Sequence, residues 1–61
     1  MKQITPDVIQ RIRFRLGEFG YRGVTTQHVE AAVKDLQSGI APTGIIGMMT
    51  QTILKENGYL D

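Results

Sequence analysis

The chain has 61 residues, 41% of them apolar, with a net charge of +1, a single His and neither Cys nor Trp. At this size only about 60% of the unfolded surface can be buried, so one small domain with a modest core is expected; disulfides and thiolate metal sites are excluded, and with a single His a structural zinc centre is not expected. The charge is unevenly spread: residues 1–23 carry Lys2, Arg11, Arg13, Arg15 and Arg22 against Asp7 and Glu18, while the remainder is net acidic, which points to either a solvated helix face or a surface for an anionic partner.

The first helix opens at Thr5-Pro6-Asp7, where a Thr N-cap, a Pro in the first turn and an early acid coincide. On a 100° wheel Val8, Ile9, Ile12, Leu16 and Phe19 form one apolar stripe, so a helix over about 6–19 is expected, ending near Gly20. Phe14 falls off that stripe among polar neighbours, and the expectation is that the chain's own tail covers it; the other reading is a contact residue. Thr25-Thr26 can cap a second helix over about 26–37, with Val29, Ala32, Val33 and Leu36 inward and Glu30, Lys34 and Asp35 outward. Ser38-Gly39 stops it, and Pro42 keeps Ala41 extended. A third helix starts from Thr43 or from Thr50 and closes at Asn57-Gly58. Gly44 and Gly47 weigh against the long version, so the helix is expected over about 48–57. Gly44 to Met49 is then a shaped turn whose Ile45, Ile46 and Met49 plug the core.

Two internal echoes run through the chain. Gly23 to Val33 aligns without a gap on Gly44 to Leu54, and Leu16 to Tyr21 (LGEFGY) on Leu54 to Tyr59 (LKENGY), which reads as a helix, Gly-Tyr turn and helix used twice within one core.

The same stretches carry a family pattern. They are Leu16-Gly17-Glu18-Phe19-Gly20-Tyr21, with Ile12 one turn earlier; Val29-Glu30-Ala31-Ala32-Val33-Lys34-Asp35-Leu36-Gln37; and Gly39-Ile40 followed by Thr43-Gly44-Ile45-Ile46-Gly47-Met48-Met49-Thr50-Gln51-Thr52-Ile53-Leu54. On these residues, within 8–54, the chain resembles the peptidoglycan-binding-like domain, a small three-helix module often attached to bacterial and phage cell-wall hydrolases. The chain departs from that pattern in a shorter loop after Tyr21, a shorter connection after Gln37, and Val29, Leu36 and Thr43 where the family has Thr, Phe and Asp. The resemblance implies an all-α, compact three-helix bundle that is not an enzyme. It implies a binding module for bacterial cell-wall peptidoglycan, or the targeting module of a wall hydrolase, with no cofactor. On that reading Arg11, Arg15 and Arg22 engage stem-peptide carboxylates through charge-assisted hydrogen bonds, and Tyr21 or Tyr59 stacks on the sugar. Phe14 and His28 complete the candidate contacts.

Catalytic constellations find little support. Ser38 and His28 stand ten residues apart along the second helix, and the six carboxylates are scattered over all segments, mostly at exposed wheel positions. His28 and Glu30 do not share a helix face, and Gly44-Ile45-Ile46-Gly47 lacks the strands and basic flanks of a backbone-clamping Gly-x-x-Gly loop. Two other partner classes remain. As a helix-turn-helix, the second and third helices would present Thr50, Gln51, Thr52, Lys55 and Glu56, with one positive charge, to a DNA groove; the arginines lie on the first helix instead. As a protein-interaction adaptor, a small phage or bacterial protein would use Phe14 and Met48/Met49 as anchors, although both methionines also suit a small core. No apolar run reaches the roughly 20 residues that a bilayer requires, so no membrane partner is expected. The residues behind Met1 lack the apolar run of a secretory leader, so the expectation is a chain kept in the cell that makes it, exported by another route, or cut from something longer.

Overall fold

The computed structural model describes residues 3–60, and Lys2 and Asp61, which enter the charge balance above, lie outside them. Three helices make up the fold, α1 (Pro6–Glu18), α2 (Thr26–Gln37) and α3 (Gly44–Glu56), with no strand among the described residues. The protein is an all-α three-helix bundle, in which α2 packs on both other helices and α1 meets α3 least.

The core follows the wheel positions of the first two helices. Val8, Ile9, Ile12 and Leu16 of α1 meet Val29, Val33 and Leu36 of α2, and Leu54 of α3 closes the cluster. Ile4 before α1 and Tyr59 and Leu60 after α3 pack against it, so both ends of the described chain help to cover the core. Thr25 caps α2 through its hydroxyl, which accepts the His28 backbone N–H at 3.1 Å. Thr5 and Thr43 occupy the corresponding positions of α1 and α3 in extended conformation without a side-chain cap bond.

All three helices end alike. In α1 the Tyr21 N–H donates to Leu16 O at 3.0 Å and the Gly20 N–H to Gly17 O at 3.0 Å; in α3 Tyr59 donates to Leu54 O at 2.8 Å and Gly58 to Lys55 O at 3.2 Å. In α2 Ile40 donates to Asp35 O at 2.9 Å and Gly39 to Leu36 O at 3.1 Å. This paired pattern is the Schellman closure, which needs a left-handed residue after the cap, and Gly20, Gly39 and Gly58 supply it with φ of 103°, 83° and 78°. The LGEFGY and LKENGY echo is thus one C-terminal motif used on α1 and α3: a fully buried Leu receives the bond and a half-buried Tyr donates it.

Four expectations are corrected. α3 begins at Gly44, not near residue 48, and the shaped turn expected over Gly44 to Met49 is its first turn and a half. Gly44 leads the chain into the helix at φ 68°, and Gly47 is buried against Pro42, where an added Cβ would sit 3.5 Å from the proline Cβ. The helix runs through both glycines because this close packing outweighs their poor propensity. Ile45 does not plug the core: it is 58% exposed, while Ile46 and Met49 are half-buried. Phe19 leaves the apolar stripe, since the helical ladder stops at Glu18 and Phe19 is the C-cap, 54% exposed. Phe14 is 70% exposed, so the tail among the described residues does not cover it.

Candidate functional site

The outward side of α1 carries Arg11, Arg13 and Arg15, and it divides into two regions. Arg11 and Arg15 are four residues apart and therefore neighbours on one face, beside the buried Val8 and Ile12. Where α1 faces the end of α3, these four residues together with Ile53, Asn57 and Tyr59 line a recess of about 190 Å³. Tyr59 reaches it because the closure of α3 turns the chain back toward α1 directly after Gly58. Asn57 is oriented by its own side-chain amide, which donates to Ile53 O at 2.8 Å. The recess therefore has an apolar floor, two guanidiniums on one wall and an amide and a phenol on the other. That donor set suits a carboxylate held beside a sugar or another flat apolar group.

Phe14 forms the second region. It is a ridge between two open troughs, one of about 310 Å³ shared with Arg13, Gly17, Glu18, Arg22 and Val24, the other of about 450 Å³ shared with Gln10, Arg11, Arg13, Arg15 and Glu18. Arg13, which the sequence reading did not single out as a contact, anchors this side: its Nε donates to Val24 O at 3.2 Å and ties α1 to the loop that carries Arg22. The signal available in the sequence was its place next to Phe14, but the carbonyl it bonds lies 11 residues away. Arg15 also lies 5.5 Å from the centroid of the Phe19 ring, a cation–π contact at the opposite edge of the helix.

The predicted contact residues are thus only partly brought together. Arg11, Arg15 and Tyr59 share the recess, and Phe14 and Arg22 share a neighbouring trough. Tyr21 is half-buried against the core as the closing residue of α1, and lines neither. His28 is exposed in the first turn of α2, where its backbone N–H serves the Thr25 cap, and it too stands apart from both regions. Among the described residues no three His, Asp or Glu side chains gather as metal ligands would, and no helix is long and apolar enough to cross a membrane. No family model matches the chain, and no curated protein or solved structure matches it.

Proposed function

We propose that the protein is a non-catalytic binding module for bacterial cell-wall peptidoglycan, acting alone or as the targeting part of a wall hydrolase, with the recess between α1 and the end of α3 as its ligand site. The observation that supports this reading is the convergence of Arg11 and Arg15 with Tyr59 over an apolar floor. Peptidoglycan offers the matching chemistry: stem-peptide carboxylates for the two guanidiniums and sugar C–H faces for the phenol ring. Phe14 and Arg22, on the adjoining trough, would extend the contact along a polymer longer than the recess itself. The resemblance of residues 8–54 to peptidoglycan-binding-like domains points the same way.

The test is co-sedimentation with insoluble peptidoglycan sacculi across a salt series, with duplex DNA as a control. Saturable pelleting that persists at about 0.5 M salt is expected, because purely electrostatic attraction between exposed charges is largely screened there. Replacing Arg11, Arg15 and Arg22 together by Ala is expected to abolish it while leaving the far-ultraviolet circular dichroism unchanged, since all three are exposed. A folded triple variant that pellets as well as the parent would remove the arginine assignment. A second reading, a protein-interaction adaptor, draws support from the exposed apolar residues on α3, Ile45 and Met48.

A further inference from the structure

α3 has the composition of a buried helix but is covered on one side only. Its sequence GIIGMMTQTILKE holds two charges, Lys55 and Glu56, both in the last turn. At 100° per residue Ile46, Gly47, Thr50 and Leu54 face the bundle, while Ile45, Met48, Met49, Thr52, Ile53 and Glu56 fall on a second stripe about 140° wide. Ile45 and Met48 are 58% and 59% exposed, and a groove of about 270 Å³ runs from this stripe to Phe19 and Arg15 of α1. Met49 and Ile53 at its inner edge pack on the core, while Ile45 and Met48 are left in water, so the outer part of the stripe lacks a partner among the described residues.

We propose that a second copy of this chain covers it, with the two α3 helices packed antiparallel about a two-fold axis. Charge selects this occupant. At the start of the stripe, α3 has no side-chain cap bond from Thr43 and no acidic residue in its first turn, so its N-terminal N–H groups offer an uncompensated partial positive charge. At the other end of the same stripe stands Glu56, exposed. Antiparallel pairing brings Glu56 of each copy to the start of α3 in the other, so one helix supplies twice what the other lacks. The groove itself is bordered by one charge of each sign, Arg15 and Glu56, and two identical faces meet there without net repulsion. A core of eight buried apolar side chains among the described residues is also small enough to gain from association. This inference goes beyond the wall-binding reading: its groove adjoins the recess and shares Arg15 and Ile53 with it, but Met48 and Glu56, which carry the test, line the groove alone.

Sedimentation velocity of the full chain, without any wall polymer, tests it from about 1 µM to 1 mM. A reversible dimer is expected, with a Kd on the order of 10–100 µM, as suits an interface at the small end of the specific range. Met48→Glu places a charge on the exposed edge of the stripe and is expected to raise that Kd at least tenfold. Glu56→Lys, at the rim, is expected to raise it about tenfold by turning two favourable helix-end contacts into repulsive ones. Both side chains are exposed, so circular dichroism of each variant should match the parent, and Glu56→Lys decides the matter if Met48→Glu disturbs the helix. A parent that remains monomeric at 1 mM overturns the proposal, as does a dimer whose Kd changes less than twofold in the folded variants. Failure to pellet with sacculi, by contrast, would leave this expectation untouched.

Discussion

Thr50 is the residue at which the chain departs most clearly from what its position favours. It is fully buried, and its hydroxyl has no hydrogen-bond partner. The internal echo sets it opposite Val29, which is equally buried and apolar. A buried hydroxyl without a partner costs roughly 1–3 kcal/mol of lost hydration, and valine keeps the branched shape while removing the polar atom. Thr50→Val is therefore expected to stabilise the protein by about 1 kcal/mol, which in a domain of this size raises the thermal midpoint by about 4–8 °C. An unchanged or lower midpoint in a melt would mean that the hydroxyl finds a partner in solution. Phe14 is the reverse case, a large apolar side chain left in water beside arginines, and its exposure is what keeps it available for contact.

The three helices share their C-terminal closure but not their N-terminal one. Thr25 accepts the His28 N–H, whereas the hydroxyls of Thr5 and Thr43 make no cap bond. Ser or Thr caps contribute about 0.5–2 kcal/mol when their oxygen satisfies an orphan N–H. Thr25→Ala is thus expected to cost about 1 kcal/mol in chemical denaturation, and Thr5→Ala distinctly less. Equal losses would contradict the difference in capping. α1 compensates for its bare cap with Pro6 and Asp7 in the first turn, and α3 has no such substitute within its own first turn. That contrast between otherwise similar elements is also what the proposed pairing of two α3 helices draws on.

Across the whole molecule, the core and the contact surfaces draw on the same helices but on opposite sides of them. Leu16 is completely buried and Phe14, two residues earlier, is 70% exposed. Leu16→Ala is expected to cost about 2–5 kcal/mol, enough to unfold much of so small a protein, while Phe14→Ala should cost less than about 0.5 kcal/mol. Comparable losses in thermal melts would place Phe14 in the core and remove it from any contact role. The division also assigns binding and stability to separable residues, so variants of Arg11, Arg15 or Arg22 test the wall-binding reading without dismantling the bundle.

The sequence by itself determined the number of helices, where α1 and α2 begin, where α2 ends and, to within one residue, where α1 and α3 end, and the core faces of α2 and, Phe19 excepted, of α1. Each of these is local: a cap bond spans three residues, a Schellman closure five, and an amphipathic stripe repeats every 3.6, so the information lies within one or two turns of chain. Only the tertiary structure decided that α3 starts at Gly44, because a contact between Gly47 and Pro42 supports helix through residues of poor propensity. It likewise decided that Phe14 stays uncovered, that Arg13 bonds the loop at Val24, and that Tyr59 joins Arg11 and Arg15 while Tyr21 and His28 do not. Those outcomes depend on how far apart the helix ends come to lie, and no periodicity encodes a distance between residues 11 and 59. The physical reason is that packing of one helix on another fixes such distances only once all three are in place.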